Sequence, residues 1–245
     1  MISRHRPVAI VTGGSGGIGE AIVANLLKEN YIVVSLGRSE PQSPLDSVEY
    51  LKCDVSIAAQ VNEAVLGSVD KLGRLDVLVT TAGVLHSAPV HLTTDETWDE
   101  IIGTNLTGVF YSCRAALPAM IAAGSGSIVN LSSVHAVATV PGAGAYAASK
   151  GAVVSLSRQM AVEYADAGIR VNSLVVGSVD TKMTTRHKAL LSRDGVKIVP
   201  PPGQIGRMAL PDEIAKAVIF LAGNGSSFVT GSAITVDGGL LSVLI

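Results

Sequence analysis

The sequence predicts a single-domain α/β fold, a doubly wound parallel sheet with helices on both faces. Three observations carry this. Short apolar runs alternate with longer amphipathic stretches, 48% of the 245 residues are hydrophobic, and no linker or fixed-period repeat divides the chain. The runs Val8–Val11, Ile32–Val34, Val77–Val79, Ile128–Leu131 and Val171–Val176 read as strands buried on both faces, with Ala233–Val236 a short final candidate. Helices are expected around residues 18–29, 57–72, 96–122, 145–166 and 211–222. The last opens on Pro211, Asp212 and Glu213, a proline and acids where a helix N-terminus favours them. Strands separated by helices imply right-handed crossovers, and such sheets bind ligands beyond the carboxyl ends of their strands.

Composition narrows the function classes. A net charge of -2 and a pI near 6.2 offer no positive surface for nucleic acid or anionic lipid. No apolar run approaches the ~20 residues of a membrane span, and Pro7–Thr12 is too short for a signal-peptide core. Two cysteines, Cys53 and Cys113, read as buried thiols rather than a disulfide framework. A cytoplasmic protein without a metal site is expected.

The first strand runs into Thr12-Gly13-Gly14-Ser15-Gly16-Gly17-Ile18-Gly19, followed by a helix. Glycines let a pyrophosphate approach the backbone, and the helix start supplies unpaired N–H groups and a favourable dipole. Two registers fit, Gly14-x-Gly16-x-x-Gly19 and Gly13-x-x-x-Gly17-x-Gly19, and glycine count does not choose between them. No Gly-Lys-Ser/Thr follows, which disfavours a P-loop. After the second strand stands Gly37-Arg38-Ser39, with no acid to hold ribose hydroxyls. Arg38, with Ser39 as a second contact, favours the 2′-phosphate of NADP over NAD, although Gly16 adds no second positive charge.

Tyr146-Ala147-Ala148-Ser149-Lys150 opens an expected helix, and residues four apart lie on one face, about 6 Å apart along the axis. Tyr146 and Lys150 can therefore serve one pocket. A phenol with a pKa near ~10 is a poor base at neutral pH, and a neighbouring ammonium favours its phenolate.

In their order the motifs resemble those of a classical short-chain dehydrogenase/reductase. They are Thr12 through Gly19, Asp54-Val55, Ala82-Gly83, Asn105, Ser133, Tyr146-x-x-x-Lys150 and Arg170-Val171-Asn172, and the similarity spans Pro7 to Gly239. The resemblance implies a seven-stranded Rossmann-like sheet and oxidoreduction of a carbonyl or secondary alcohol with NADP or NAD. It implies Tyr146 as general acid/base, Ser133 holding the reacting oxygen, and Lys150 binding the nicotinamide ribose and depressing the tyrosine pKa. Asn105 would anchor a water linked to Lys150. Gly13, Ser15, Gly17, Ile18, Gly19, Arg38, Ser39, Asp54, Val55, Ala82, Gly83, Gly177, Val179 and Thr181 would contact the cofactor, Asp54 and Val55 at the adenine.

Two departures stand out. Thr80-Thr81-Ala82-Gly83 replaces the family's Asn-Asn-Ala-Gly, and Val176-Gly177 replaces its Pro-Gly. Substrate contacts are expected from Ser133, His135, Tyr146, Ser178 and His187, with residues 182–206 as a lid. A sugar, polyol, ketone or 3-oxoacyl thioester would fit such a site. The apolar end Leu240–Ile245 and the resemblance imply a homotetramer. The competing readings are a non-catalytic family member that senses NADP(H) and a methyltransferase with a similar first turn.

Overall fold

The computed structural model describes residues 6–185 and 204–242. In chain order the strands are β1 (Val8–Thr12), β2 (Ile32–Gly37), β3 (Val48–Lys52), β4 (Val77–Thr80), β5 (Gly126–Ser133), β6 (Ile169–Val176) and β7 (Ala233–Val236). The helices are α1 (Gly17–Lys28), α2 (Ala58–Leu72), α3 (Asp95–Ile102), α4 (Gly108–Ala123), α5 (Gly144–Glu163) and α6 (Pro211–Ala222). All pairings are parallel in the order β3-β2-β1-β4-β5-β6-β7. The order reverses direction between β1 and β4, which opens a crevice above their carboxyl ends.

Alternate strand residues feed two cores, as a sheet covered on both faces requires. Ile10, Leu36, Leu78 and Ile128 pack with Val65 of α2, Met120 of α4 and Val153 of α5. Val11, Val33, Val79 and Val129 pack with Ile22 and Leu26 of α1 and Ile214 and Val218 of α6. The seven-stranded, single-domain Rossmann-like expectation therefore holds.

Two elements differ from the pattern reading. β3 lay in no apolar run, because Val48-Glu49-Tyr50-Leu51-Lys52 is an edge strand whose three central residues are only half-buried. The helix expected over 96–122 is interrupted by a π turn, Gly103–Thr107, where Gly108 N–H donates to Gly103 O five residues back. The helical run Asp95–Ala123, 29 residues with an 18-residue stretch at mean hydropathy 1.3, is long and apolar enough to cross a membrane by length and composition. Here it turns Val109, Cys113, Ala116, Leu117 and Met120 into the core.

Arg170-Val171-Asn172 ties β6 to the segment before β7. Arg170 donates to Ser226 Oγ at 2.8 Å, and Asn172 donates to Val229 O at 2.8 Å while accepting from Ser232 N–H at 3.1 Å.

Candidate active site

The turn after β1 leaves a cradle that side chains would fill. Gly13 has φ +71°, and a Cβ there would stand 2.6 Å from Ala82 N. A Cβ at Gly19 would stand 2.1 Å from Gly13 O, and one at Gly14 2.5 Å from Ser35 Oγ, whereas Gly16 faces open space. Close approach thus constrains Gly13, Gly14 and Gly19, while Gly17 takes φ +43°. This favours the register Gly13-x-x-x-Gly17-x-Gly19. Gly16 caps α1 without a side-chain bond, and the Gly17 and Ile18 N–H groups have no acceptor among the described residues. Those donors at a helix start fit a diphosphate.

The cradle closes on three sides. A Cβ at Gly17 would meet Thr181 Cγ2 at 3.1 Å, and one at Gly37 would meet Ser15 Oγ at 2.6 Å. Arg38 and Ser39 are exposed at the end of β2. Asp54 lies beyond β3 and accepts from Ser56 N–H at 3.0 Å and Ser56 Oγ at 2.7 Å. The Ser56 hydroxyl holds its carboxyl below the ordinary carboxylate range, with a smaller contribution from Arg38. Gln60 reaches back to Asp54 N–H at 2.8 Å, and Val55 packs in the core.

The side chains expected to be catalytic converge from β5, α5 and the π turn. Ser133 ends β5, accepts from His135 N–H at 3.3 Å and lies close enough to Tyr146 for its hydroxyl to favour the phenolate. Lys150 is buried, donates to Leu131 O at 2.9 Å and lies 5.7 Å from the centre of the Tyr146 ring. A Cβ at Gly83 would meet Asn105 Oδ1 at 3.3 Å and Lys150 Nζ at 3.8 Å, so these three positions adjoin. Ser132 instead donates to Lys150 O at 2.8 Å and holds α5 against β5.

Electrostatics correct one expectation. Burial pushes the Tyr146 phenol above its ordinary value, and the Ser133 hydrogen bond offsets this only in part. Burial acts more strongly on Lys150 itself and lowers it to about 8.

That shift has a stability consequence. A lysine at about 8 in the folded chain and 10.5 unfolded costs stability wherever both states bind the proton, below pH 8. The cost, about 3 kcal/mol, fades as pH rises from 8 towards 10.5. Urea titrations of Lys150→Met across that range should lack this rise in stability; an unchanged rise would assign it to another group.

Asn105 is fully buried because the π turn rotates it inward. It accepts from Val84 N–H at 2.8 Å, donates to Val84 O at 2.9 Å and donates to Ser149 Oγ at 3.3 Å. Ser149 in turn donates to Tyr146 O at 2.7 Å. Asn105→Ala strands both polar groups of Val84, at about 1–3 kcal/mol for each that stays unsatisfied. The urea midpoint should fall at unchanged m-value, and an unaltered midpoint would contradict this account.

Sequence reasoning missed Ser149, although a serine three residues after a helical carbonyl is placed to bond it. It also missed Val84, which acts through its backbone and leaves no side-chain signal.

Both departures from the family pattern have a structural account. Thr81 donates to Thr12 O at 2.7 Å through Oγ1, and Thr80 donates to the buried Asn130 at 2.8 Å. The threonines therefore bind the end of β1 to β4 and β5. Gly177 donates to Val236 O at 3.0 Å, and a Cβ there would stand 2.7 Å from Asp237 Cα. The small residue is needed; the missing proline is not.

Val179 is buried, its carbonyl accepting from Thr184 Oγ1 at 2.7 Å while its N–H has no acceptor among the described residues. Thr181 Oγ1 accepts from Thr184 N–H at 3.3 Å, capping the helical turn at 182–185. His135 meets Tyr146 edge-on, with ring centres 5.4 Å apart, and its Nδ1 is 2.9 Å from Thr139 Oγ1. Ser178 O accepts from Ala209 N–H at 2.9 Å. His187 and the greater part of the 182–206 segment lie outside the described residues, as do residues 243–245. Among the described residues no cluster of three or more His, Cys, Asp or Glu side chains could hold a metal ion.

A nucleotide cradle at the switch point of a doubly wound sheet, with a tyrosine, lysine and serine gathered beside it, defines an oxidoreductase of the dehydrogenase and reductase class. Comparison with known proteins agrees. A family described as enoyl-(acyl carrier protein) reductase matches residues 13–241. The 2-(R)-hydroxypropyl-CoM dehydrogenase of Xanthobacter autotrophicus is 36% identical, covering 96% of this chain and 99% of its own. The 3-oxoacyl-[acyl-carrier-protein] reductase FabG of Chlamydia trachomatis is 36% identical, covering 95% of this chain and 96% of its own. The solved structure of ElxO with NADP bound superimposes with a TM-score of 0.87 at 29% identity, covering 98% of this chain and 100% of that one. The chain belongs to the short-chain dehydrogenase/reductase family and is an oxidoreductase.

Proposed function

We propose that this enzyme transfers a hydride between NADP(H) and a carbonyl or secondary alcohol, with Tyr146 as general acid/base. The observation that carries the reading is the gathering of Tyr146 and Ser133 beside a buried Lys150 and next to the glycine cradle. Nicotinamide supplies the hydride when bound. Gly13, Ser15, Gly17, Ile18 and Gly19 hold the diphosphate, Arg38 and Ser39 the 2′-phosphate, and Asp54 and Val55 the adenine. Ala82, Gly83, Gly177, Val179 and Thr181 line the nicotinamide half.

In the reducing direction Tyr146 Oη gives its proton to the substrate oxygen, which Ser133 Oγ also holds. A phenol kept protonated by burial suits a proton donor. Lys150 binds the nicotinamide ribose, and Asn105 anchors a water linking that lysine to solvent. His135 and Ser178 bound the substrate, whose class is a sugar, polyol, ketone or 3-oxoacyl thioester.

The test is oxidation of NADPH against a panel of those four carbonyl classes, followed at the nicotinamide absorbance. Turnover with at least one is expected. Tight NADPH binding with no turnover on any of them would favour a cofactor-sensing protein instead.

We propose that the enzyme assembles as a homotetramer. Trp98, Phe110, Ile121 and Val162 are exposed on α3, α4 and α5, and Phe228 is fully exposed before β7. A single monomeric species by light scattering at micromolar concentration would overturn this. A cytoplasmic location accords with Cys53 and Cys113, both buried and unpaired.

A further inference from the structure

NADP carries a phosphate that NAD lacks, and one exposed arginine is a thin answer to a dianion. The glycine turn itself brings no positive charge. The structure places a second cation at the same rim, from an element far away in sequence. Thr181 packs against the turn at Gly17, and the next residue, Lys182, extends across to the loop that follows Arg38 and Ser39. There its Nζ donates to Gln42 Oε1 at 2.8 Å, across 140 residues of chain. The cleft beneath, about 400 Å³, is lined by Asp180, Thr181, Lys182 and Thr185.

Lys182 is held by a neutral amide. Among the described residues it forms no ion pair, and neither does Arg38. Among the described residues the lysines and arginines that pair with carboxylates are Lys71, Arg74, Arg207 and Lys216. The rim of the cradle thus carries two cations outside any ion pair among the described residues, on loops joined by the Lys182–Gln42 hydrogen bond. The exposed Asp180 is the acidic neighbour in the cleft, and Asp54, already held by Ser56, is the one near Arg38.

We infer that Lys182 is a specificity residue for NADP: its ammonium leaves the Gln42 amide and joins Arg38 on the adenosine 2′-phosphate. Gln42 sets the side chain's reach towards that loop. A lysine provides a point charge on a flexible stem and so adds to an arginine's planar contact without requiring its geometry. The assignment rests on the NADP reading given above.

The experiment is a set of dissociation constants for wild type, Lys182→Gln and Arg38→Gln against NADPH, NADH, 2′-AMP and 5′-AMP. Lys182 is exposed, so its replacement leaves the core untouched. A charge-assisted hydrogen bond to phosphate corresponds to about a tenfold loss of affinity or more. Lys182→Gln should therefore weaken NADPH and 2′-AMP about tenfold and NADH and 5′-AMP less than twofold. Equal weakening of both pairs would make Lys182 a general diphosphate contact and overturn the inference. A full NADPH preference retained in Lys182→Gln but lost in Arg38→Gln would overturn it while sparing the NADP reading. A wild type that prefers NADH would overturn both.

Discussion

Replacing Tyr146 by phenylalanine is expected to lower turnover by about 10²–10⁴-fold, the usual contribution of a positioned general acid. The substitution deletes one oxygen and keeps the ring that stacks edge-on to His135 and lies near Lys150. Ser133 Oγ still accepts from His135 N–H, so the end of β5 keeps its cap. Cofactor affinity should stay within a few-fold, since the cradle and Lys150 are untouched. Removing Ser133 as well should cost little more, because the two hydroxyls act on one oxygen. Turnover within threefold of wild type would place the proton donor elsewhere. A matching collapse of NADPH affinity would make Tyr146 a binding residue.

Gly19→Ala is expected to be the most damaging single methyl group among the described glycines. Its Cβ would stand 2.1 Å from Gly13 O, 2.8 Å from Gly13 C and 2.9 Å from Gly14 Cα. All three are backbone atoms, so no rotamer change relieves the clash and α1 must shift. Overpacking of this kind typically costs about 1–3 kcal/mol and occasionally more. The same shift opens the diphosphate cradle, so NADPH affinity should fall more than tenfold. Gly16→Ala is the internal control: it faces open space three residues away and should alter the urea midpoint little. Equal midpoints and equal NADPH affinities for the two variants would refute this account of the turn.

Pattern reading recovered those parts of the molecule whose physics is local. Strands buried on both faces announce themselves as apolar runs, which is why β1, β4, β5 and β6 were legible. β3 was not, since an edge strand with Glu49 and Lys52 has the composition of a loop. Helix α6 was legible to the residue because Pro211 and the acids after it mark its start. The Tyr146–Lys150 spacing placed both side chains on one face, but the balance of charge between them depends on burial. Only the fold shows that Lys150 is enclosed while hydrogen-bonded to a neutral carbonyl. Lys182 illustrates the same limit at longer range. Its meeting with Gln42 is made by the crossing of two loops 140 residues apart, and no spacing rule links them.

The π turn at Gly103–Thr107 also preserves the rotational phase between the two helices it joins. Each residue of a helix advances the side-chain direction by about 100°, and the wide turn takes up that advance between α3 and α4. The turn absorbs one extra residue, so deleting one of 103–107 would restore a regular helix with α3 and α4 in nearly their present phase and remove the wide turn that carries Asn105 inward. Ile101, now 1% exposed, would keep its buried face, while Asn105 would lose its alignment with Val84. A one-residue deletion within this turn should therefore lower the urea midpoint by the loss of the Asn105–Val84 hydrogen bonds while the chain still folds, whereas one in the exposed stretch 86–94 should alter it less, a contrast that paired deletions would expose.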